Sequence, residues 1–285
     1  MSSLDAALLR QLSTSSTPYQ DPLTLIDWGS LSLRDDWLPE TALSLYGLPE
    51  YEGLSVTVRR RLSQYEFVNV MLCGLWLEGL LLQRLARRLN PGLARREYEY
   101  LLHEMREETG HSLMFLRAIE TSGLPLPDGA WCAPPLSRLL ARRLPLTGAL
   151  FWIAAVIGEH VPDQLNRFVR QSRAHVNTAV RQILSLHIVD EARHIALARE
   201  QLESRLRGSS ALRRATLARV ARALLHDLVG VCYFPPARFY ELAGLTPGGV
   251  WRRRALGNPA RRTLIEQCVE PTRRLLRSQG LDVGF

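Results

Sequence analysis

Glutamates and histidines recur along this sequence at spacings suited to metal binding. In the stretch HIVDEARH, His187, Glu191 and His194 lie four and then three residues apart. At about 100° per residue, a helix sets Glu191 about 40° to one side of His187 and His194 about 20° to the other. Two imidazoles and a carboxylate on one narrow face are costly to bury unless something compensates them. A divalent metal ion would do so. A second Glu-x-x-His stands at Glu108 and His111 in the stretch EETGH. Two more glutamates stand in apolar settings. Glu78 is the only charged residue between Glu66 and Arg84, and Glu159 closes the uncharged run 144–158. The order is therefore Glu78, then Glu108 with His111, then Glu159, then Glu191 with His194, and His187 as an additional imidazole. Four carboxylates balance the charge of two divalent ions and can bridge them. Imidazoles suit iron and leave positions open for oxygen.

Other readings compete at single positions. Glu66 rivals Glu78, although twelve residues earlier falls on a different helix face. Asp163, four residues after Glu159, is either an alternative ligand or a group supporting one. His187 is either a third histidine ligand or a buried hydrogen-bonding partner. Metal-bound imidazoles usually donate their second N–H to a carboxylate. Asp190 is placed to do this for a ligand on another helix, with His111 the candidate, and Arg193 to hold Asp190. The alternative for this pair is a plain surface ion pair.

The elements that must present these groups are helices. The sequence predicts one long helix from residue 57 to the stop at Asn90-Pro91-Gly92, and a second from about 93 to Gly123. A third runs over about 146–172, with Pro162 a candidate kink. A fourth runs over about 175–208. Each helix carries one part of the constellation. Two helices with a lone Glu and two with Glu-x-x-His form the arrangement of ferritin-like di-iron or di-manganese bundles. The expected fold is all-α: a ferritin-like four-helix bundle core with additional flanking helices. We read residues 1–285 as one helical unit, with an irregular lead-in (1–55), a metal-binding core (57–208) and flanking C-terminal helices (209–285).

Composition narrows the function classes. The net charge is +8, and all 36 basic residues are arginine, spread along the chain. Dispersed arginines pair readily with carboxylates, so the expectation is no nucleic-acid partner. An acidic substrate or an acidic redox partner fits the charge. The four cysteines are scattered with no CxxC, which predicts a reducing cytoplasm and neither a disulfide framework nor a zinc site. The polar N-terminus is no secretion signal. No uncharged apolar run reaches the ~20 residues of a membrane span. Tyr233, Phe234, Phe239 and Tyr240 in CYFPPARFYELAGL are candidates to line a pocket, but aromatics at this spacing more often build core.

The DEARH stretch resembles the metal-binding helix of bacterial multicomponent monooxygenases. With His187 four residues ahead of Glu191, residues 78–194 more closely resemble the para-aminobenzoate N-oxygenase family. That resemblance implies Glu78, Glu108, His111, Glu159, Glu191 and His194 as common ligands and His187 as the extra one. It implies two iron ions, with a mixed manganese–iron pair as the alternative. It also implies O2 activation through a peroxo-di-iron intermediate and oxygenation of an amine nitrogen, taking aryl amines to hydroxylamine, nitroso or nitro products in secondary metabolism. No catalytic residue beyond the metal ligands is expected. No flavin or nicotinamide fingerprint such as GxGxxG occurs, so electrons would come from an external reductase or ferredoxin. A homodimer is compatible with this reading. A C–H-directed di-iron or Mn/Fe oxidase, or a non-enzymatic iron-handling bundle, are the alternatives, since fold does not fix reaction.

Overall fold

The computed structural model describes residues 6–133, 148–172 and 174–284. Among them the regular structure is helical, with no strand. The lead-in holds α1 (Ala6–Ser16), α2 (Pro22–Leu25) and α3 (Pro49–Glu52), with two short 3-10 turns between α2 and α3. The four long helices are α4 (Val56–Arg88), α5 (Arg95–Ser122), α6 (Ala149–Gln171) and α7 (Thr178–Leu206). Then follow α8 (Ala211–Cys232), α9 (Ala237–Leu242), α10 (Gly248–Gly257) and α11 (Pro259–Ser278).

Local chemistry sets the ends of these helices. The side chain of Ser55 caps α4 by accepting from Val58 N–H, and that of Asn177 caps α7 by accepting from Val180 N–H. Gly123 ends α5 at φ 65° and Gly208 follows α7 at φ 69°. Both occupy the left-handed region that residues with a Cβ avoid. Pro162 lies inside α6, which continues through it. A proline there removes the bond to the Gly158 carbonyl, one residue from Glu159.

Two helical hairpins make the bundle: α4 packs along α5, and α6 packs along α7. The lead-in helices α1 and α2 cover the outside of α5, while α8 and α11 cover α6. Gly74 lets α4 approach α5, because a Cβ there would lie 2.6 Å from Phe115 Cε2. α4 has the length and apolarity of a membrane-crossing helix. Its place in the bundle explains that composition, since Leu62, Phe67, Val68, Met71 and Leu85 are all buried core residues.

A buried polar network ties the lead-in to the C-terminal helices and accounts for Glu66. The Glu66 carboxylate accepts from Ser44 N–H at 2.9 Å and from Ser44 Oγ at 2.5 Å, with Arg261 3.6 Å away. Arg261 also donates to the carbonyls of Ala42 and Tyr233. Burial nevertheless pushes the Glu66 carboxyl up from its ordinary pKa. Glu66 thus serves fold closure on a different face from Glu78. Tyr233, Phe239 and Tyr240 are likewise buried in the core.

The cysteine expectation needs correction. Cys73 on α4 and Cys232 at the end of α8 form a disulfide, with Cα atoms 6.0 Å apart. They are 159 residues apart in sequence, so only the packing of α8 on α4 brings them together. Asn69 reinforces the same contact by donating to the carbonyls of Val231 and Cys232. Cys132 and Cys268 remain free thiols.

Candidate metal centre

The bundle brings all seven candidate ligands into its interior. α4 supplies Glu78, α5 supplies Glu108 and His111, α6 supplies Glu159, and α7 supplies His187, Glu191 and His194. All seven are buried. They divide into two sets: Glu78, His111, His187 and Glu191, and Glu108, Glu159, Glu191 and His194. Within each set, one donor atom per residue lies within 4.8 Å of every other. Glu191 belongs to both. Its Oε1 lies 3.2 Å from His187 Nε2, 3.5 Å from His111 Nδ1 and 3.6 Å from His194 Nδ1. Glu78 Oε1 is 3.4 Å from His187 Nε2, and Glu108 Oε1 is 3.0 Å from His194 Nδ1. Asp163 belongs to neither set; its Oδ2 accepts from Arg167 at 2.7 Å.

The donor set fits two cations. Both oxygens of Glu191, one each of Glu78 and Glu108, and His194 Nδ1 are buried without a well-formed hydrogen bond. Buried polar atoms normally have a partner, and here five of them converge on one place. The protonation pattern makes the same point. Burial and the neighbouring carboxylates push Glu78 and Glu159 well above the ordinary carboxylate range. Burial acts the same way on Glu108 and Glu191, but the adjacent imidazoles outweigh it and draw both down. Burial disfavours a charged His111, yet hydrogen bonds to Asp190 and Glu108 hold its pKa up at about 9. Burial lowers His187 to about 4. Four carboxylates cannot all ionise here without added positive charge, and two divalent ions supply that charge.

The outward nitrogens of the three imidazoles are each held. His111 Nε2 meets Asp190 Oδ2 at 3.1 Å, His194 Nε2 meets Glu107 Oε2 at 2.9 Å, and His187 Nδ1 meets Asn166 Nδ2 at 3.1 Å. Arg193 joins two of these pairs, donating to Glu107 at 2.8 Å and to Asp190. Asp190 thus lies against His111, and Arg193 lies against Asp190 and Glu107. A cleft of about 140 Å³ between the N-terminal segment and α5 and α7 reaches this network, with Tyr19 on its wall. On the bundle side, Phe115 stands 5.2 Å from the His187 ring, and His187 stands 4.6 Å from the His111 ring.

Sequence reasoning missed Glu107 and Asn166. A signal for Glu107 was present. Glu107-Glu108-x-x-His111 and Asp190-Glu191-x-x-His194 share one pattern, an acid placed just before Glu-x-x-His. In the fold, the leading acid of each helix holds the histidine of the other. Asn166 lies seven residues after Glu159 on α6, which is two turns along the same face.

Comparison with known proteins agrees with this geometry. Residues 3–280 match the P-aminobenzoate N-oxygenase AurF family. The uncharacterized proteins MT0908 of Mycobacterium tuberculosis (strain CDC 1551 / Oshkosh) and Mb0909 of Mycobacterium bovis (strain ATCC BAA-935 / AF2122/97) are each 27% identical over 273 residues. Those alignments cover 92% of this chain and 78% of each relative. Among solved structures, a variant of an R2-like ligand-binding oxidase with aerobically reconstituted Mn/Fe cofactor is similar, at TM-score 0.57 and 14% identity. It covers 98% of this chain and 95% of its own. A second variant, with anaerobically reconstituted Mn/Fe cofactor, reaches TM-score 0.58 at 14% identity, covering 98% and 94%. These structures share the fold, a ferritin-like helical bundle with flanking helices. The match across almost the whole length, on a chain that gathers two Glu-x-x-His pairs, two lone glutamates and a third histidine, places this protein in the p-aminobenzoate N-oxygenase family.

Proposed function

We propose that this protein is an O2-dependent dinuclear metal oxygenase that oxygenates the nitrogen of an aryl amine. The observation that carries the reading is the convergence of seven buried ligands on two sets sharing Glu191, with His187 as a third imidazole. Glu78, His111, His187 and Glu191 would hold one ion, and Glu108, Glu159, His194 and Glu191 the other. When bound, a pair of iron ions, or a manganese–iron pair, supplies the electrons and Lewis acidity that turn O2 into an oxygen-atom donor.

The chain's own residues do the rest. Asp190 and Glu107 accept from the outer N–H of His111 and His194, and the Asn166 amide, with its oxygen turned to His187 Nδ1–H, does the same for the third ring, so each inner nitrogen faces the centre. Arg193 balances the charge of Asp190 and Glu107. Phe115 and the surrounding core exclude water beside His187. The first oxygenation balances as R–NH2 + O2 + 2 e⁻ + 2 H⁺ → R–NHOH + H2O, and further rounds would give nitroso or nitro products. The electrons come from an external carrier.

The test is metal content with an optical spectrum on anaerobically reduced protein, before and after O2, followed by turnover of aryl amines under ¹⁸O2. Two ions per chain and ¹⁸O in an N–O product support the reading. No metal uptake, or uptake unaffected by Glu108→Ala and Glu191→Ala, refutes it. The Mn/Fe cofactor named for the structural neighbours favours a second reading, an oxidase acting on C–H bonds. Products oxygenated at carbon, with nitrogen untouched, would select it.

A further inference from the structure

The reaction above needs two external electrons, and among the described residues one arginine-rich surface region has the charge to attract an acidic carrier. Two adjoining hollows, of about 450 and 440 Å³, lie between the C-terminal end of α7, the outer face of α8 and the tail after α11. Arg214 and Gly280 belong to both. Their walls carry five arginines: Arg199, Arg207, Arg214, Arg219 and Arg222. All but Arg214 are exposed. The acids present are Glu203, 3.9 Å from Arg207, and Asp282, 3.6 Å from Arg277. Among the described residues, Arg199, Arg219 and Arg222 have no carboxylate within salt-bridge distance. Arg214 spends its hydrogen bonds on the carbonyls of Leu206, Ser209 and Gln279 and keeps its charge. It serves as a fixed wall, with the exposed arginines around it.

Position gives the patch its meaning. Arg199 is five residues from His194 on one unbroken helix, a rise of about 7.5 Å along the axis. Leu197 and Ala198 in that interval are buried in the core. Among the described residues, this hollow joins arginines that have no carboxylate partner to a short covalent path toward a candidate ligand.

We propose that this arginine-walled hollow docks an acidic one-electron iron–sulfur carrier of the ferredoxin class. The inference rests on the oxygenase reading. Each docked carrier passes from reduced to oxidised and gives up one electron, and two dockings supply the two electrons of N-hydroxylation. Complementary charge steers such encounters and makes them steeply dependent on salt.

The experiment uses the full chain and a plant-type [2Fe–2S] ferredoxin as probe. Binding is measured by titration calorimetry at low and high salt. In parallel, the rate at which reduced ferredoxin reduces the metal-loaded protein is divided by the rate with dithionite, which needs no docking. Arg219→Glu with Arg222→Glu reverses charge on the exposed face of α8. The milder Gln pair guards against misfolding, and Arg253→Glu on α10, which changes net charge by as much as the Gln pair, is the charge-matched control for it. The expected result is saturable binding weakened at least tenfold by the Glu pair and less by the Gln pair, with the rate ratio falling in step. A Kd that the Glu pair leaves within twofold, or that Arg253→Glu raises as much as the Gln pair does, overturns the docking site whatever the metal centre does. Docking lost on charge reversal in a protein that takes up no metal would retain the surface and remove the oxygenase reading instead.

Discussion

Arg193 offers the sharpest test of how the centre is built. Its guanidinium contacts Asp190 and Glu107, and those two acids hold His111 and His194, which belong to different ligand sets. Removing a group that orients a metal-bound histidine typically weakens metal binding about 10–100-fold, or about 1.4–2.7 kcal/mol. Asp190→Asn should therefore weaken the ion held with His111 by that amount and spare the other. Glu107→Gln should do the reverse. Arg193→Gln leaves both acids without their counter-charge, and Glu107 is only 3% exposed. It should weaken both ions together, each about 10–100-fold. Arg193→Lys should fall between: a single guanidinium nitrogen, Nη2, reaches both carboxylates, and an ammonium keeps that charge but is more strongly hydrated and holds the buried Glu107 less well. The assay is anaerobic competition of Fe(II) or Co(II) loading against a chromophoric chelator, fitted to two sites. The reasoning fails if Arg193→Gln weakens one ion alone, or if Asp190→Asn weakens both equally.

Three further outcomes are expected. Burial raises the Glu104 carboxyl to about 8, so the folded metal-free protein binds a proton there that the unfolded chain releases above about 4.3. Its contribution is therefore fully present below about pH 4.3 and is lost as pH rises toward 8, by a few kcal/mol. Glu104→Gln should narrow the Tm gap between pH 5 and pH 8, and an unchanged gap would contradict the assignment. The Cys73–Cys232 bond closes a loop of 159 residues containing all seven ligands. Chain entropy sets its ceiling at about 5 kcal/mol, so Cys73→Ser or a reductant should lower the Tm of the metal-free protein, and mass mapping without reductant should find two free thiols. Gly74→Ala should destabilise by about 1–3 kcal/mol despite alanine's helix propensity, because the new methyl meets the Phe115 ring; an equal or higher Tm in denaturation would show that the ring yields.

Much of the fold was legible in the chain because its signals are local. The 3.6-residue pattern, Asn90-Pro91-Gly92, Gly123 and Gly208 mark the long helices to within a few residues. The Glu-x-x-His spacing survives as geometry because three residues on a helix is nearly one turn, so Glu191 and His194 share a face before any tertiary contact forms. Which helices face each other is not local. Glu78 and Glu159 could be chosen over Glu66 and Asp163 only by apolar surroundings and, for Glu66, by helix face. It took packing to show Glu66 bound to Ser44 and Asp163 to Arg167. The crosswise support of His111 by Asp190 and of His194 by Glu107 depends on how α5 meets α7. The disulfide depends on α8 lying against α4, a contact between positions 159 residues apart that spacing alone cannot register. The sequence by itself determined what chemistry the side chains can do and which of them share a helix face. Tertiary structure alone decided which faces meet, because helix packing is set by shape and burial over the whole molecule rather than by any short stretch of it.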